Sequence, residues 1–324
     1  MNKVKSQKAE GKIKKEIYMT EKYCGIAAII GRTNTGKSTL LNALLGQKVS
    51  IVSKIPQTTR NIIRGVLTEE RGQIVFVDTP GLHKPKHHLG KYMNILAEDS
   101  ARGADVVLHL VDSSENTGEE ETMIVGFLSR QLLGKLPIIL VLNKIDLGGK
   151  FISEYLKLWE EKSGKPINEL SDKLIVIPVS ALKGTSLDKL LEVLFSYMPK
   201  GPQLYPEDMV SDFPDNLAYA DIIRQKLFER MRQEIPYSIG VLIEEVIERT
   251  KELTFIKAVI LVERDSQKAM VIGDKGRVIK EVGSASRKEL EGMLDKKVYL
   301  ELTVKTNPDW REDKEILKRM GIIQ

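Results

Sequence analysis

The segment Gly31–Ser38 reads Gly-Arg-Thr-Asn-Thr-Gly-Lys-Ser and matches the pattern G-x-x-x-x-G-K-[ST]. Its glycines allow backbone N–H groups to curl around a phosphate at the start of a helix, where the helix dipole favours anions. The lysine would reach the β- and γ-phosphates, and the final serine hydroxyl would ligate Mg²⁺. The pattern predicts a nucleotide phosphate site with contacts from Gly31, Asn34, Thr35, Gly36, Lys37, Ser38 and Thr39.

Two further segments would complete a metal site at these phosphates. Asp78 follows an apolar run and could hold Mg²⁺, while the N–H of Gly81, three residues on, could meet the γ-phosphate. The same D-x-x-G pattern recurs at residues 146–149, but only Asp78 ends the strand expected beside the phosphate loop. In the polar loop before that strand, the switch I segment, we expect Thr59 to contact Mg²⁺ and the γ-phosphate, with Thr58 as a close alternative. The predicted Mg²⁺ ligands are therefore Ser38, Thr59 and Asp78.

The segment Asn143-Lys144-Ile145-Asp146 predicts which base is bound. The Asp146 carboxylate can accept both the N1–H and the exocyclic amino group of guanine, and adenine offers neither donor there. Asn143 would hold the purine from the other side, and the stem of Lys144 would cover the ring. At Ser180–Ala181, after another apolar run, a backbone N–H could meet guanine O6. These residues favour GTP over ATP, and they argue against a metabolic ATPase or kinase.

Hydrolysis of the bound GTP is expected to be slow. The residue after Gly81 is Leu82, where Ras-type enzymes place a glutamine that orients the attacking water. A leucine can neither accept a proton nor position water. His83, His87 and His88 stand nearby as candidate bases, although histidines here more often decorate a mobile loop. We therefore expect a Mg²⁺-dependent GTPase whose intrinsic rate is low.

A second group of residues, near the C-terminus, points to nucleic acid. Gly273-Asp274-Lys275-Gly276 is a G-x-x-G turn between two amphipathic helical stretches, and residues 268–288 hold six basic side chains against two acidic ones. The glycines permit close approach to a sugar-phosphate backbone, as in KH modules, which clamp about four nucleotides. Predicted RNA contacts are Gly273, Asp274, Lys275, Gly276, Arg277 and Lys280. A solvated basic helix with a plain turn is the alternative.

The elements that must position these residues change character near residue 200. Apolar runs at residues 25–30, 73–78, 106–111, 138–142 and 174–179 alternate with amphipathic stretches, which is typical of a parallel sheet covered by helices on both faces. Residues 23–199 are therefore predicted to form an α/β P-loop NTPase domain with a doubly wound, mostly parallel sheet. Prolines mark residues 200–215 as a linker. Residues 216–324 read as helix, two strands, helices and a strand, which predicts a small α+β domain of the KH type.

Composition limits the class of protein. A hydrophobic content of 42% and a charged content of 29% are those of a soluble globular chain, and the net charge of +5 permits contact with nucleic acid or anionic lipid. The single cysteine, Cys24, excludes an internal disulfide framework and fits a reducing compartment. Residues 1–22 contain seven lysines without a following apolar core, so we expect a disordered basic arm rather than a secretory signal.

Over Lys22–Gln324 these motifs together resemble the Era family of bacterial GTPases, which carry a C-terminal type II KH domain. The resemblance rests on GRTNTGKSTLLNALLG, PQTTR, VDTPGLH, NKID, the proline-rich linker, ILVERDSQKAMVIGDKGRVIK and NPDW. It departs from the family at Thr33 and Thr35, where proline and a small apolar residue are common, and in the length of the lysine-rich arm.

The resemblance implies a switch that binds GTP and GDP, contacts 16S ribosomal RNA near its 3′ end and assists maturation of the 30S subunit. It also implies Mg²⁺, K⁺ held partly by Asn34, and a monomer in the cytoplasm with peripheral contact at the inner face of the cell membrane. A signalling or trafficking GTPase, with the KH-like unit as a protein-docking module, stays open as the alternative.

Overall fold

The first part of the chain folds into an α/β domain around a seven-stranded sheet. The computed structural model describes residues 22–52, 59–85, 88–170, 173–231 and 238–323, so Thr58, His87 and residues 1–21 of the expected arm lie outside it. The sheet contains β1 (Lys22–Ile30), β2 (Ile63–Glu69), β3 (Gly72–Asp78), β4 (Val106–Asp112), β5 (Ile138–Asn143), β6 (Leu174–Pro178) and β7 (Lys200–Gly201). Its helices are α1 (Lys37–Leu45), α2 (His88–Arg102), α3 (Glu119–Gln131), α4 (Ile152–Ser163) and α5 (Leu187–Tyr197).

The central strands are apolar because helices cover both faces of the sheet. The strand order is β2-β3-β1-β4-β5-β6, and the neighbours from β3 to β6 run parallel. Successive residues of β1 alternate between two cores, with Ala27 and Ile29 in one and Ala28 and Ile30 in the other. The predicted mostly parallel, doubly wound sheet is confirmed, and its five predicted strands are present. Parallel strands bring their carboxyl ends to one edge, where the nucleotide motifs follow.

Sequence reasoning missed β2. This strand pairs antiparallel with β3, with Ile63 opposite Asp78. Its sequence mixes Arg64, Gly65 and Thr68 with apolar residues, so no continuous apolar run marks it. Gly65 fits closely over α1, since a Cβ there would lie 2.5 Å from Leu45 Cδ1.

The segment predicted as a linker is fastened to the sheet. Its first two residues form β7, which pairs with Lys22 and Tyr23, so Lys22 belongs to the sheet rather than to the arm. The buried side chain of Gln73 accepts hydrogen bonds from the N–H groups of Leu204 and Tyr205, at 2.8 and 2.9 Å, and donates to the Tyr205 carbonyl at 3.0 Å. Proline composition correctly indicated irregular backbone here, but it does not encode these long-range contacts.

The remainder of the chain forms a smaller α+β domain. Its three-stranded sheet has the order β10-β9-β8, in which β8 (Gly240–Thr250) is antiparallel and β10 (Lys297–Thr306) parallel to β9 (Leu253–Val262). The helices α6 (Asp215–Arg230), α7 (Asp265–Ile272) and α8 (Arg277–Leu294) share the core of one face, and α9 (Lys314–Arg319) packs on the other. This is the predicted KH arrangement, with α9 as an addition that the sequence reading missed.

The two domains share a core. Leu89 and Met93 of α2 pack in one buried cluster with Trp310 and Leu317 of the second domain. Lys48, just after α1, pairs with Glu289 of α8 at 2.5 Å. The second domain therefore rests directly on the segments that surround the nucleotide motifs.

Replacing Gln73 by alanine should destabilise the protein by about 2–4 kcal/mol, because it leaves the backbone groups of Leu204 and Tyr205 without partners. Urea unfolding followed by circular dichroism measures the change. Gln131→Ala, at an exposed position, is the control and should shift the free energy of unfolding by less than about 0.5 kcal/mol. Equal effects of the two substitutions would contradict the fastening role of Gln73.

Candidate nucleotide and RNA sites

A cavity of about 900 Å³ opens at the carboxyl edge of the large sheet. Most of the predicted nucleotide contacts line it: Asn34, Gly36, Lys37, Ser38, Thr39, Thr59, Gly81, Asn143, Lys144, Asp146, Ser180 and Ala181. Gly31, Thr35 and Asp78 are buried beneath its wall. Phe228 and Glu229 of α6 also line the cavity, which no sequence motif indicated. The size suits a nucleotide, and the second domain contributes part of the wall.

The phosphate loop joins β1 to α1 in a conformation that requires glycine. Gly36 has φ 97°, and a Cβ there would lie 2.5 Å from Asn143 Nδ2. Lys37 Nζ donates to the carbonyl oxygens of Gly31 and Arg32 at 3.1 and 2.7 Å. Burial lowers the pKa of Lys37 to about 8, although the nearby carboxylates, Asp78 foremost, act in the opposite direction. A phosphate would offer this buried ammonium a better partner than two carbonyls.

The three predicted Mg²⁺ ligands come together. Ser38 Oγ lies 2.7 Å from Asp78 Oδ2 and 2.9 Å from Thr59 Oγ1. Burial raises the pKa of Asp78, against the influence of Lys37 and of the hydroxyls of Ser38 and Ser50. Asp78 Oδ1 is buried without a hydrogen-bond partner among the described residues. An unpartnered buried carboxylate oxygen beside two hydroxyls is a donor set that suits Mg²⁺.

Ser50 belongs to this cluster and was missed from the sequence. Its hydroxyl donates to Asp78 Oδ2 at 3.0 Å, and its backbone N–H donates to Asn42 Oδ1 at 2.9 Å. Asn42 thus holds the loop after α1 against the aspartate. A serine in a loop carries no recognisable pattern, so only the folded chain identifies it.

Asn143 fastens two loops together at the base end of the cavity. Its Nδ2 donates to the Thr35 carbonyl at 2.8 Å, and its Oδ1 accepts the Ala181 N–H at 3.0 Å. The side chain is almost fully buried and forms part of the cavity wall. A backbone N–H of this segment is expected to meet guanine O6. That of Ala181 already has this partner, whereas the next one belongs to the exposed Leu182.

Lys144 and Asp146, which follow Asn143 in the sequence, also line the cavity. Lys144 has φ 60°, and its Nζ donates to the Asn34 carbonyl at 3.0 Å and to Asp112 Oδ2 at 2.5 Å. Burial would raise the pKa of Asp112, but hydrogen bonds from Lys144 and Ser114 outweigh it and hold the pKa below its ordinary value. Asp146 is exposed and lines the cavity, so its carboxylate is open to a base edge.

The segment after Asp78 closes over the phosphate loop. A Cβ at Gly81 would lie 2.8 Å from Thr33 Cα, and the Leu82 N–H donates to the Gly31 carbonyl at 3.2 Å. The Leu82 side chain is 2% exposed and packs in the core. His83 Nδ1 lies 2.9 Å from the Gly81 carbonyl oxygen. Leu82, the residue after Gly81, therefore has no side-chain group that could orient a water molecule.

A buried polar chain beneath the phosphate loop was not foreseen. Arg32 Nε lies 3.4 Å from Glu121 Oε2, and Glu121 Oε1 lies 2.7 Å from His109 Nε2. The Trp159 indole N–H donates to His109 Nδ1 at 3.2 Å. Because Nδ1 accepts, the ring proton of a neutral His109 lies on Nε2 and is donated to Glu121. These linked side chains join β4, α3 and α4 to Arg32, the second residue of the phosphate loop.

The predicted RNA contacts form one turn between α7 and α8. Gly273 has φ 73°, and a Cβ there would lie 2.4 Å from Val278 Cγ2. Gly276 and Lys275 also have positive φ, at 76° and 49°. Asp274, Lys275, Arg277 and Lys280 are exposed around the turn. The fold thus presents basic side chains beside a tight, glycine-dependent backbone.

Among the residues that the structure describes, no helix is both long and apolar enough to cross a membrane.

Comparison with known proteins finds two family models, one for each domain. The model described as 50S ribosome-binding GTPase matches residues 26–144, and a KH domain model matches residues 234–311. The chain is 45% identical over 299 residues to the GTPase Era of Halothermothrix orenii, covering 92% of this chain and 97% of that protein.

Two solved structures of Era proteins match the whole architecture. A crystal structure of Era in complex with MgGDPNP and nucleotides 1506–1542 of 16S ribosomal RNA has a TM-score of 0.84 and 40% identity, covering 94% of this chain and 100% of that one. A single-residue variant of Aquifex aeolicus Era bound to GDP·AlF4⁻ has a TM-score of 0.83 and 40% identity, covering 93% and 100%.

The lowered pKa of Lys37 predicts how nucleotide affinity depends on pH. Below pH 8 the ammonium is charged with or without nucleotide, whereas above pH 8 the free protein loses the proton and phosphate binding must restore it. The affinity for GDP should therefore fall as the pH rises through 8, by up to about tenfold per pH unit. Fluorescent GDP titrations from pH 7 to 9 measure it. The Lys37→Met variant should bind GDP more weakly, and its GDP affinity should depend less on pH. Parallel pH profiles for the two proteins would show that the lowered pKa does not belong to Lys37.

Proposed function

Because the chain belongs to the Era family of GTPases, we propose that it is a GTP-dependent switch that binds 16S ribosomal RNA near its 3′ end and assists assembly of the 30S subunit. One observation carries this proposal: a nucleotide cavity and a basic G-x-x-G turn occur on one chain, and the domain that bears the turn also forms part of the cavity wall. Guanine nucleotide occupancy can therefore influence the RNA-binding domain directly.

In the nucleotide site, we assign the phosphates to the backbone of the loop and to Lys37, and the base to Asp146. The exposed carboxylate of Asp146 accepts two donors of guanine, and the Lys144 stem lies between Asn34 and the base position. Asn143 holds Thr35 and Ala181 in place through hydrogen bonds between its side-chain amide and their backbone. Discrimination against ATP comes from the donors that adenine lacks.

Mg²⁺ would be held by Ser38, Thr59 and Asp78, and it would neutralise charge on the β- and γ-phosphates. Asp78, with its unpartnered oxygen, gains a cation as partner, which stabilises its ionised form. Leu82 offers no polar group, so this chain's own residues contribute binding and orientation rather than a general base. A slow intrinsic rate follows from that arrangement.

In the RNA site, the backbone of Gly273 and Gly276 approaches the sugar-phosphate chain while Lys275, Arg277 and Lys280 neutralise phosphates. Asp274 lies at the tip of the turn. We further propose a monomer that acts in the cytoplasm and contacts the inner face of the cell membrane peripherally, as the family resemblance implies. The net charge of +5 supports contact with RNA and with anionic lipid.

Reversing the charge of Lys275 should weaken RNA binding without changing GDP affinity. Lys275→Asp keeps a residue that tolerates positive φ, whereas a substitution at Gly273 would strain the turn. Filter binding to an RNA of nucleotides 1506–1542 should show a lower affinity and a salt slope reduced by about one. Lys157→Asp, an exposed lysine on α4, is the charge-matched control. Binding that is independent of salt and equal in both variants would favour a protein-docking module instead.

Potassium should accelerate GTP hydrolysis, since Leu82 supplies no charge to the transition state and Asn34 lies exposed on the cavity wall. At equal ionic strength, kcat in KCl should exceed kcat in NaCl, and Asn34→Gly should remove the difference. The glycine retains the positive φ that Asn34 adopts. Equal rates in the two salts for the unmodified protein would refute K⁺ activation.

A further inference from the structure

The backbone at Thr59 and Arg60 connects the nucleotide cavity with the second domain. Thr59 Oγ1 lies 2.9 Å from Ser38 Oγ, within the proposed Mg²⁺ ligand set. The next side chain, Arg60, enters the KH domain, where its Nη1 donates to the Ile239 carbonyl at 2.8 Å. Its guanidinium carbon lies 5.5 Å from the ring centroid of Trp310. Consecutive residues of one segment thus contact the metal ligands and the other domain.

Arg60 is an anchor rather than a surface contact. It is 2% exposed, and a buried guanidinium is costly unless its N–H groups and its charge find partners. The KH domain supplies both, as a carbonyl oxygen and the face of an indole. Trp310 is itself fully buried, and its N–H donates to the Ser238 carbonyl at 3.0 Å. The receiving surface is therefore rigid.

The charges around the anchor are mixed. Asp221 forms an ion pair with Arg224 at 2.6 Å. Arg224 and Arg311 interact unfavourably with Arg60, whereas Asp221 interacts favourably with it. Arg60 thus enters a region where the neighbouring carboxylate already has a cationic partner. Among the described residues no carboxylate forms an ion pair with Arg60, so the Ile239 carbonyl, the Trp310 ring and the packing around them hold the anchor.

A second contact reaches the same domain from the segment after Asp78. Leu89 and Met93 of α2 pack with Trp310 and Leu317 in one buried cluster. The indole that receives Arg60 therefore also lies in the core that supports the chain following Gly81. Both segments that border the γ-phosphate position depend on the placement of Trp310.

We infer that Arg60 is a positioning residue for the GTPase site: by anchoring its segment in the KH domain, it holds Thr59 on the Mg²⁺ ligand set and favours GTP over GDP. The docked KH domain then forms part of the nucleotide switch. Because coupling free energies are reciprocal, GTP must stabilise the docked position of Arg60 to the same extent. This inference rests on the Mg²⁺ ligands proposed above.

A double-mutant cycle in the full-length protein tests it. Affinities for GDP and for a non-hydrolysable GTP analogue are measured for Thr59→Ala, Arg60→Met and the double variant. Each single substitution should lower the preference for the GTP analogue by about fivefold or more while GDP affinity stays within about twofold. The double variant should be no worse than Thr59→Ala alone, because both substitutions remove the same interaction. Arg60→Lys, which keeps the charge and a donor, should recover part of the loss.

Arg64→Met is the matched control. Arg64 lies four residues on and pairs with Asp212 of the linker segment at 3.3 Å, but its side chain is half exposed. The Arg64→Met substitution should leave the preference for the GTP analogue over GDP unchanged. If Arg60→Met weakens both nucleotides equally, or if the cycle is additive, the anchor role is refuted. If Thr59→Ala itself leaves the preference unchanged, the proposed ligand set is wrong instead.

Tryptophan fluorescence gives a second readout. The chain has two tryptophans, and Trp159→Phe leaves Trp310 as the only tryptophan, which can be excited selectively over tyrosine. Exchange of GDP for the GTP analogue should alter Trp310 emission, and Arg60→Met should abolish that nucleotide dependence. An identical emission change with and without Arg60 would overturn the proposed coupling.

Discussion

The buried carboxylate of Asp78 is the constraint on which the nucleotide site depends. It ends β3 at zero exposure, and burial raises its pKa, so the fold must surround it with donors or a cation. Ser38 from the phosphate loop and Ser50 from the loop after α1 both donate to it, and Thr59 joins through Ser38. Three separate loops are thus drawn to one point at the carboxyl edge of the sheet.

Hydrogen bonds between buried side chains and neighbouring segments also hold this edge together. Asn143 ties the phosphate loop to the segment at Ala181, and Glu121 connects Arg32 to His109 in the interior. These buried polar groups contact partners on other segments, so displacement of one segment removes a partner from another. The phosphate loop is therefore held from both sides before a ligand arrives.

The second domain also contacts the segments that form the nucleotide site. Its helix α6 supplies Phe228 and Glu229 to the cavity wall, and its core receives Arg60 from the segment that carries Thr59. A domain that carries the proposed RNA-binding turn between α7 and α8 and borders the nucleotide cavity at α6 can respond to both ligands. Fastening of the intervening segment by Gln73 limits how far the two domains can separate.

Short sequence patterns predict the motifs and most of the elements that carry them. The phosphate loop, Asp78, Asp146 and the G-x-x-G turn are each contained in a few consecutive residues, and buried parallel strands leave continuous apolar runs. Local pattern is sufficient there, because backbone conformation and strand burial follow from neighbouring residue types. The antiparallel edge strand β2 was missed for the same reason, since its half-polar sequence leaves no such run.

The contacts between distant side chains become visible only in the folded chain. Arg60 and Ile239 lie 179 positions apart, Asn143 and Thr35 lie 108 apart, and Gln73 lies more than 130 from the backbone it holds. Such contacts depend on how finished elements and domains pack, which residue periodicity does not encode. They convert a recognisable phosphate loop into a site whose switch segment is anchored in another domain.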